Sequence, residues 1–325
     1  MNQFQKELLL AAVLGVLVPW LLLNGAVYRM TRVPMPTIQP TETTQAASAF
    51  SLPVLTDSGM THMELNEYLT GVVLGEMPSD FELEALKAQS VVARTYALRS
   101  FESGTKHPGG AVCTESSCCQ GFCTKEDYLL GGGTEAGFDK IRSAVTATAG
   151  LVLTYGGELI EATYFSSSGG KTEDALAVWG TDVPYLRATE SPEEDFADKT
   201  IASITFTSQQ FADALGVSLT GSPATWLGDV TYTAGGGVNT MVIGGTTYQG
   251  TTLRQKLGLR STAFVMTAVG DHITVTTRGY GHRVGMSQYG AEAMAVQGKS
   301  FEEILAHYYQ GTALTQWIDK GDKLG

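Results

Sequence analysis

From Ser51 onward the chain alternates between apolar residues at every second position and apolar residues at every third or fourth. Ser51 to Leu55 (SLPVL) reads as a first strand. Leu65, Leu69, Val72, Val73 and Glu76 recur at helical spacing, which predicts a helix from Met63 to Met77, stopped by Pro78. Ser79-Asp-Phe-Glu82 has the form of a capping box and predicts a second helix from Glu82 to about Ser103, with Gly104 as its end. Ala85, Ala88, Ser90, Ala93 and Ala97 on that helix leave room for close neighbours. A third helix is expected around Phe138 to Thr148, and a hairpin turning at Gly156-Gly157. Residues 196 to 277 form a strand-rich stretch with one short helix, SQQFADALG. A Gly-rich loop, 279 to 290, leads into two closing helices at about 291–297 and 301–308. Helices and strands are segregated, so the expected class is α+β. It comprises a helical catalytic region, a strand-rich subdomain at about 196–277 and a groove between them.

The segment before Ser51 has a different pattern. Leu8 to Tyr28 is an uncharged apolar run, long enough as a helix to cross about 30 Å of hydrocarbon. Asn24-Gly25-Ala26 makes a poor cleavage site, so the expectation is an uncleaved anchor over 1–29. Lys6 on one side and Arg29 and Arg32 on the other do not fix its orientation by charge. Residues 30–50, rich in Pro, Thr and Ala, read as a tether. The domain then runs from 51 to 317, with a tail over 318–325.

Composition narrows the function. The 325 residues are 43% hydrophobic and 17% charged, with a net charge of -12. That charge argues against nucleic acid as a partner and against polybasic binding to anionic lipid.

Three groups of residues carry candidate chemistry. Glu76 lies on the apolar stripe at the C-terminal end of its predicted helix. Desolvation and the helix dipole both disfavour its charge there, which would make it a general acid. The plainer alternative is a terminal Glu that bends out to water. Lys87, Gln89 and Arg94 are polar positions on the following alanine-rich helix. Some of them are expected to face inward or toward a cleft as substrate contacts; the alternative, favoured for Lys87, is a solvated face with one buried hydrogen-bonded group. The second group is His107, Cys113, Cys118, Cys119 and Cys123, in the pattern H-x5-C-x4-C-C-x3-C. By spacing it suits two disulfides or tetrahedral zinc equally. The third is the loop Gly279 to Gly290, in which His282, Ser287, Gln288 and Tyr289 supply polar and aromatic contacts. No nucleophile elbow is present, and no second carboxylate is evidently partnered with Glu76.

Five stretches together carry a family resemblance: L-T-G-V-V-L-G-E-M-P at 69–78, E-A-L-K-A-Q-S-V-V-A-R-T-Y-A at 84–97, S-S-S-G-G-K-T-E at 166–173, L-R-Q-K-L-G-L-R-S-T-A-F at 253–264, and G-Y-G-H-R-V-G-M-S-Q-Y-G-A at 279–291. With these stretches in this order, the chain resembles the stage II sporulation protein D and amidase-enhancer family. The resemblance implies a lytic transglycosylase acting on denuded peptidoglycan strands, with Glu76 as the catalytic residue. The non-catalytic alternative is a cell-wall-binding amidase enhancer. It further implies a zinc in a structural role, held by His107, Cys113 and Cys119, with Cys118 where a second His is expected. Ser166, Ser168, His282, Ser287 and Gln288 become glycan-contact candidates. The implied setting is engulfment during sporulation, in the mother-cell membrane with the domain extracytoplasmic. The implied partners are the stage II sporulation proteins P and M.

Overall fold

In the computed structural model, residues 50–192, 196 and 200–319 are described. The expected anchor, nearly all of the tether and most of the tail lie outside them. Among the described residues, no helix is long and apolar enough to cross a membrane. The α+β class holds, as several small sheets packed with helices rather than one large sheet.

Strand β1 (Ser51–Thr56) pairs antiparallel with β2 (Gly59–Glu64), a strand the periodicity did not reveal. Helix α1 therefore starts two residues later than expected and spans Leu65–Glu76. The reason is local: both carboxylate oxygens of Glu64 accept backbone N–H groups, from Asn66 and Glu67, and fix the helix start at Leu65. Helix α2 (Leu83–Ser103) ends at Gly104 in the left-handed conformation, as expected. Its start is a correction. The 79–82 capping box does not form, because the Ser79 hydroxyl accepts from Tyr128 instead. The Glu82 N–H donates to Glu292 from the far end of the chain, at 2.6 Å.

Beyond α2 come β3 (Val112–Cys113), α3 (Lys125–Leu130) and α4 (Glu135–Ala147). The expected hairpin follows as β4 (Leu151–Tyr155) and β5 (Glu158–Leu159), turning through Gly156 and Gly157, both at positive φ. Then come β6 (Tyr164–Phe165) and α5 (Ala175–Trp179). One core unites β1, α1, α2, α4, β4 and the closing helices α8 (Gln288–Val296) and α9 (Phe301–Tyr308).

A second core belongs to the strand-rich region alone. It holds Phe211, Trp226, Ile243, Leu253, Ile273 and Val275. Strand β7 (Ile201–Thr207), helix α6 (Ser208–Leu215), β8 (Leu227–Tyr232), β9 (Val238–Ile243), β10 (Thr246–Gln249), α7 (Gly250–Lys256), β11 (Phe264–Val269) and β12 (His272–Arg278) build it. They form two three-stranded sheets, β11-β12-β7 and β10-β9-β8. The chain then returns to the first core through β13 (Met286–Ser287), which pairs in parallel with β6. The last strand, β14 (Ala313–Gln316), pairs with β4.

Candidate active site

Two glycines on α1 position the site. A Cβ at Gly71 would sit 2.2 Å from the Phe122 ring, and one at Gly75 would lie 3.0 Å from the backbone of Gly121 and Phe122. With hydrogen there instead, the segment 121–123 lies directly on the helix, and Cys123 N–H donates to Gly71 O at 2.9 Å. This contact delivers the Gly121 N–H to Glu76 Oε1 at 2.6 Å. Gly121 is itself constrained, since a Cβ there would stand 3.1 Å from the same oxygen.

Glu76 is the last residue of α1 and is half-buried. Burial raises its pKa, partly opposed by the Gly121 N–H and by the Tyr164 and Gln288 side chains that face it. The Tyr164 hydroxyl accepts from Gln120 Nε2 at 3.2 Å, and Gln120 Oε1 accepts from the Tyr68 hydroxyl at 3.5 Å. Gln120 thus leaves the Tyr164 proton free to point at the carboxylate. Tyr164, Gln120 and the Gly121 amide were not foreseen in the sequence. The available signal was the Gly-x-x-x-Gly spacing at 71 and 75, which marks close backbone approach.

Glu76 opens into a cavity of about 730 Å³, lined also by Tyr96, Lys106, Ser116, Cys118, Cys119, Glu161, Tyr164, Ser166, Trp179, Tyr280 and His282. Among the described residues, none of those lining it belongs to the strand-rich region. A groove of about 730 Å³ does run between the helical body and the strand-rich region, lined by Gly169, Lys171 and Glu190 on one side and Thr200, Ile201 and Ala234 on the other, but the Glu76 cavity is a separate one within the helical body and the loop that returns to it. A second carboxylate does share this space. Glu161 accepts from Arg99 at 2.9 Å, and that ion pair occupies it.

His107, Cys113, Cys118 and Cys119 converge beside the cavity, which Cys118 and Cys119 also line. One ligand atom from each lies within 4.8 Å of all the others. His107 Nε2 is 3.4 Å from Cys118 Sγ and 3.5 Å from Cys119 Sγ. A tetrahedral zinc site has N···S edges of about 3.6 Å, so the donor set fits. None of the four cysteines is in a disulfide. Burial pushes the Cys119 thiol up to about 12, so its thiolate form requires a nearby cation. Cys123 stands apart from the cluster.

The glycan-contact candidates divide. Ser166 and His282 line the cavity. Burial and the charge of Arg254 hold His282 down at about 4, so the ring is neutral. Its Nδ1 accepts from Val284 N–H at 3.1 Å, which places the ring proton on Nε2. Gln288 is buried beside Glu76, and its amide nitrogen lacks a hydrogen-bond partner of good geometry.

The others do not line the cavity. Ser168 Oγ accepts from Gly170 N–H within its own loop. Ser287 caps α8 by accepting from Gly290 N–H at 3.1 Å. Tyr289 packs against Phe81 and Phe196. Lys87 pairs with Glu84 at 2.7 Å and lies over the Phe301 ring. Arg94 is fully buried and donates to the carbonyls of Val145, Thr148 and Leu151, closing the end of α4. Gln89 is buried within the α2 packing rather than on a cleft. For Gln89 and Arg94, helical spacing allowed an inward face but did not say which neighbour it meets.

A family model described as stage II sporulation protein matches residues 57–155. The chain is 43% identical to stage II sporulation protein D of Bacillus subtilis (strain 168) over 280 residues, covering 84% of this chain and 81% of that one. It is 40% identical to the Bacillus amyloliquefaciens protein of the same name, covering 85% of this chain and 81% of that one. The amidase enhancer of Bacillus subtilis is 31% identical, over 77% of this chain and 40% of its own length. The chain belongs to the stage II sporulation protein D family.

Proposed function

From this family membership, we propose that the protein is a lytic transglycosylase that cleaves N-acetylmuramic acid–N-acetylglucosamine bonds in denuded peptidoglycan during sporulation. The observation that carries this reading is Glu76: a carboxyl group whose protonated form is favoured by burial, aimed into an open cavity. Protonated Glu76 gives its proton to the glycosidic oxygen as the bond to the muramic C1 breaks. The resulting carboxylate then takes the proton from the C6 hydroxyl of the same sugar, and that oxygen closes on C1. The products are a 1,6-anhydro-muramic end and a free N-acetylglucosamine hydroxyl, and Glu76 ends protonated as it began. The Gly121 N–H and the Tyr164 hydroxyl stabilise the carboxylate between the two proton transfers. Glu161, held by Arg99, is not required as a nucleophile.

The residues that would hold zinc are His107, Cys113, Cys118 and Cys119. A tetrahedral ion there would brace the loop that leads through Gln120 to the Gly121 amide, and take no part in proton transfer.

The setting proposed with this activity is a single-pass membrane protein with its domain extracytoplasmic. Stage II sporulation proteins P and M would be its partners, with P supplying strands stripped of peptide. The test is digestion of denuded strands by the full chain and by Glu76→Gln. Anhydro-muramic ends are expected from the first and not the second. Strand binding without any anhydro product would instead support a non-catalytic enhancer.

A further inference from the structure

Among the described residues, Lys106 is the one lysine or arginine lining the Glu76 cavity. Its ammonium donates to the Tyr96 hydroxyl and lies 5.1 Å from the Tyr96 ring centroid. Lys106 is exposed, and its contacts with the Tyr96 hydroxyl and ring bias its charge toward the cavity wall. No carboxylate pairs with Lys106 among the described residues. Glu161, the other acid in the cavity besides Glu76, is already bound by Arg99 at 2.9 Å. The cavity thus presents a positive charge without a carboxylate partner, in the same space as a carboxyl group that must be protonated to start the reaction.

We propose that Lys106 is a specificity-determining residue that pairs with the free lactyl carboxylate of muramic acid. This rests on the glycan-cleaving reading above. Neutral sugar hydroxyls and acetamides give a lysine little to select. Removal of the stem peptide leaves one carboxylate on each muramic residue, where a peptide-bearing strand has an uncharged amide. An ammonium at the wall favours the first and gains nothing from the second. Cys118 and Cys119 also lie near Lys106 and offer it a rival role, that of balancing a metal–thiolate cluster.

The experiment compares denuded strands with the same strands whose lactyl carboxylates have been converted to methylamides. The full chain in detergent, Lys106→Gln and Lys106→Arg are assayed on both, and the metal content of each protein is measured. The wild type should lose about tenfold in kcat/KM on the amidated strands, mainly through KM. Lys106→Gln should show that loss on native strands and no preference between the two, with its metal retained, and Lys106→Arg should restore the preference. A tenfold preference surviving in Lys106→Gln would overturn the proposal. So would equal loss on both strands together with loss of metal. Strand binding in a Glu76→Gln background gives the same comparison without cleavage. If no variant produces anhydro ends, the reaction assignment fails, while the binding preference still decides the role of Lys106.

Discussion

The helical body and the strand-rich region each have a core, yet they place their polar groups differently. In the helical body, polar groups are brought into the interior and left partly uncompensated: Glu76 with a raised pKa, the thiol cluster beside the cavity, and Gln288 with an unmatched amide. In the strand-rich region, a few buried hydroxyls such as Ser261 are satisfied by backbone groups, and many of the exposed ones pair with one another. Hydroxyl pairs Ser203–Thr276, Thr205–Thr274 and Thr231–Thr240 bridge neighbouring strands on exposed faces. The interior is apolar. The first arrangement costs stability and is the one the proposed reaction would use, whereas the second supplies stability.

The two regions meet through a buried ion pair. Arg283, the one non-glycine residue at positive φ among the described residues, is 3.0 Å from Glu173 and donates to the carbonyls of Ser168, Lys171 and Gly235. Glu173 Oε1 also accepts from the Thr233 hydroxyl and the Gly237 N–H. Arg283 directly follows His282, which lines the cavity. The strand-rich region therefore bears on the site through one wall and contributes no lining residue among those described.

The contrast can be broken most sharply at Glu76. Glu76→Gln should lower turnover of denuded strands by about 10²- to 10⁴-fold, measured as anhydro ends released. It should not lower stability at neutral pH. Because burial raises the folded-state pKa, Glu76 contributes stability in its protonated form, and that contribution is lost as pH rises through the folded value. The melting temperature of Glu76→Gln should thus match or exceed the wild type at pH 7, with the difference closing below the ordinary carboxylate range.

Arg283→Met should cost about 3–5 kcal/mol in denaturant unfolding, because it leaves Glu173 charged and buried without its partner. Its residual activity should fall further than the folded fraction does, because the His282 wall loses its anchor. Phe211→Ala, in the second core, should cost about 3–5 kcal/mol as well. It should leave turnover per folded molecule unchanged, and an equal loss of turnover would erase the division between the two regions. Glu292→Ala removes the acceptor for Glu82 N–H at the start of α2 and should cost about 1 kcal/mol by thermal melting.

Much of the secondary structure was legible because it depends on neighbours in the chain. The helix ending at Glu76, the glycine stop at 104, the hairpin at 156–157 and the strand-rich composition of 196–277 all follow from local periodicity and turn chemistry. Strand β2 was hidden because its pattern continues into α1, and the boundary is set by the Glu64 side chain. The expected box at 79–82 fails because a tertiary partner, Glu292, takes the N–H at the helix start that a local side chain would have taken.

The site divides in the same way. By itself the sequence determined that a carboxylate would close an apolar helix, and that four thiols and an imidazole would fall within a short stretch. Tertiary structure decided what surrounds them. It set Gly121 on the groove made by Gly71 and Gly75, turned Tyr164 toward Glu76, and gathered the four metal-ligand candidates beside the cavity. It also withdrew Arg94 and Lys87 into structural contacts. The physical reason is that periodicity reports which face of an element is buried. The pKa of a buried group and the use of a charge depend on atoms from segments distant in the chain, such as Gly121, 45 positions beyond Glu76.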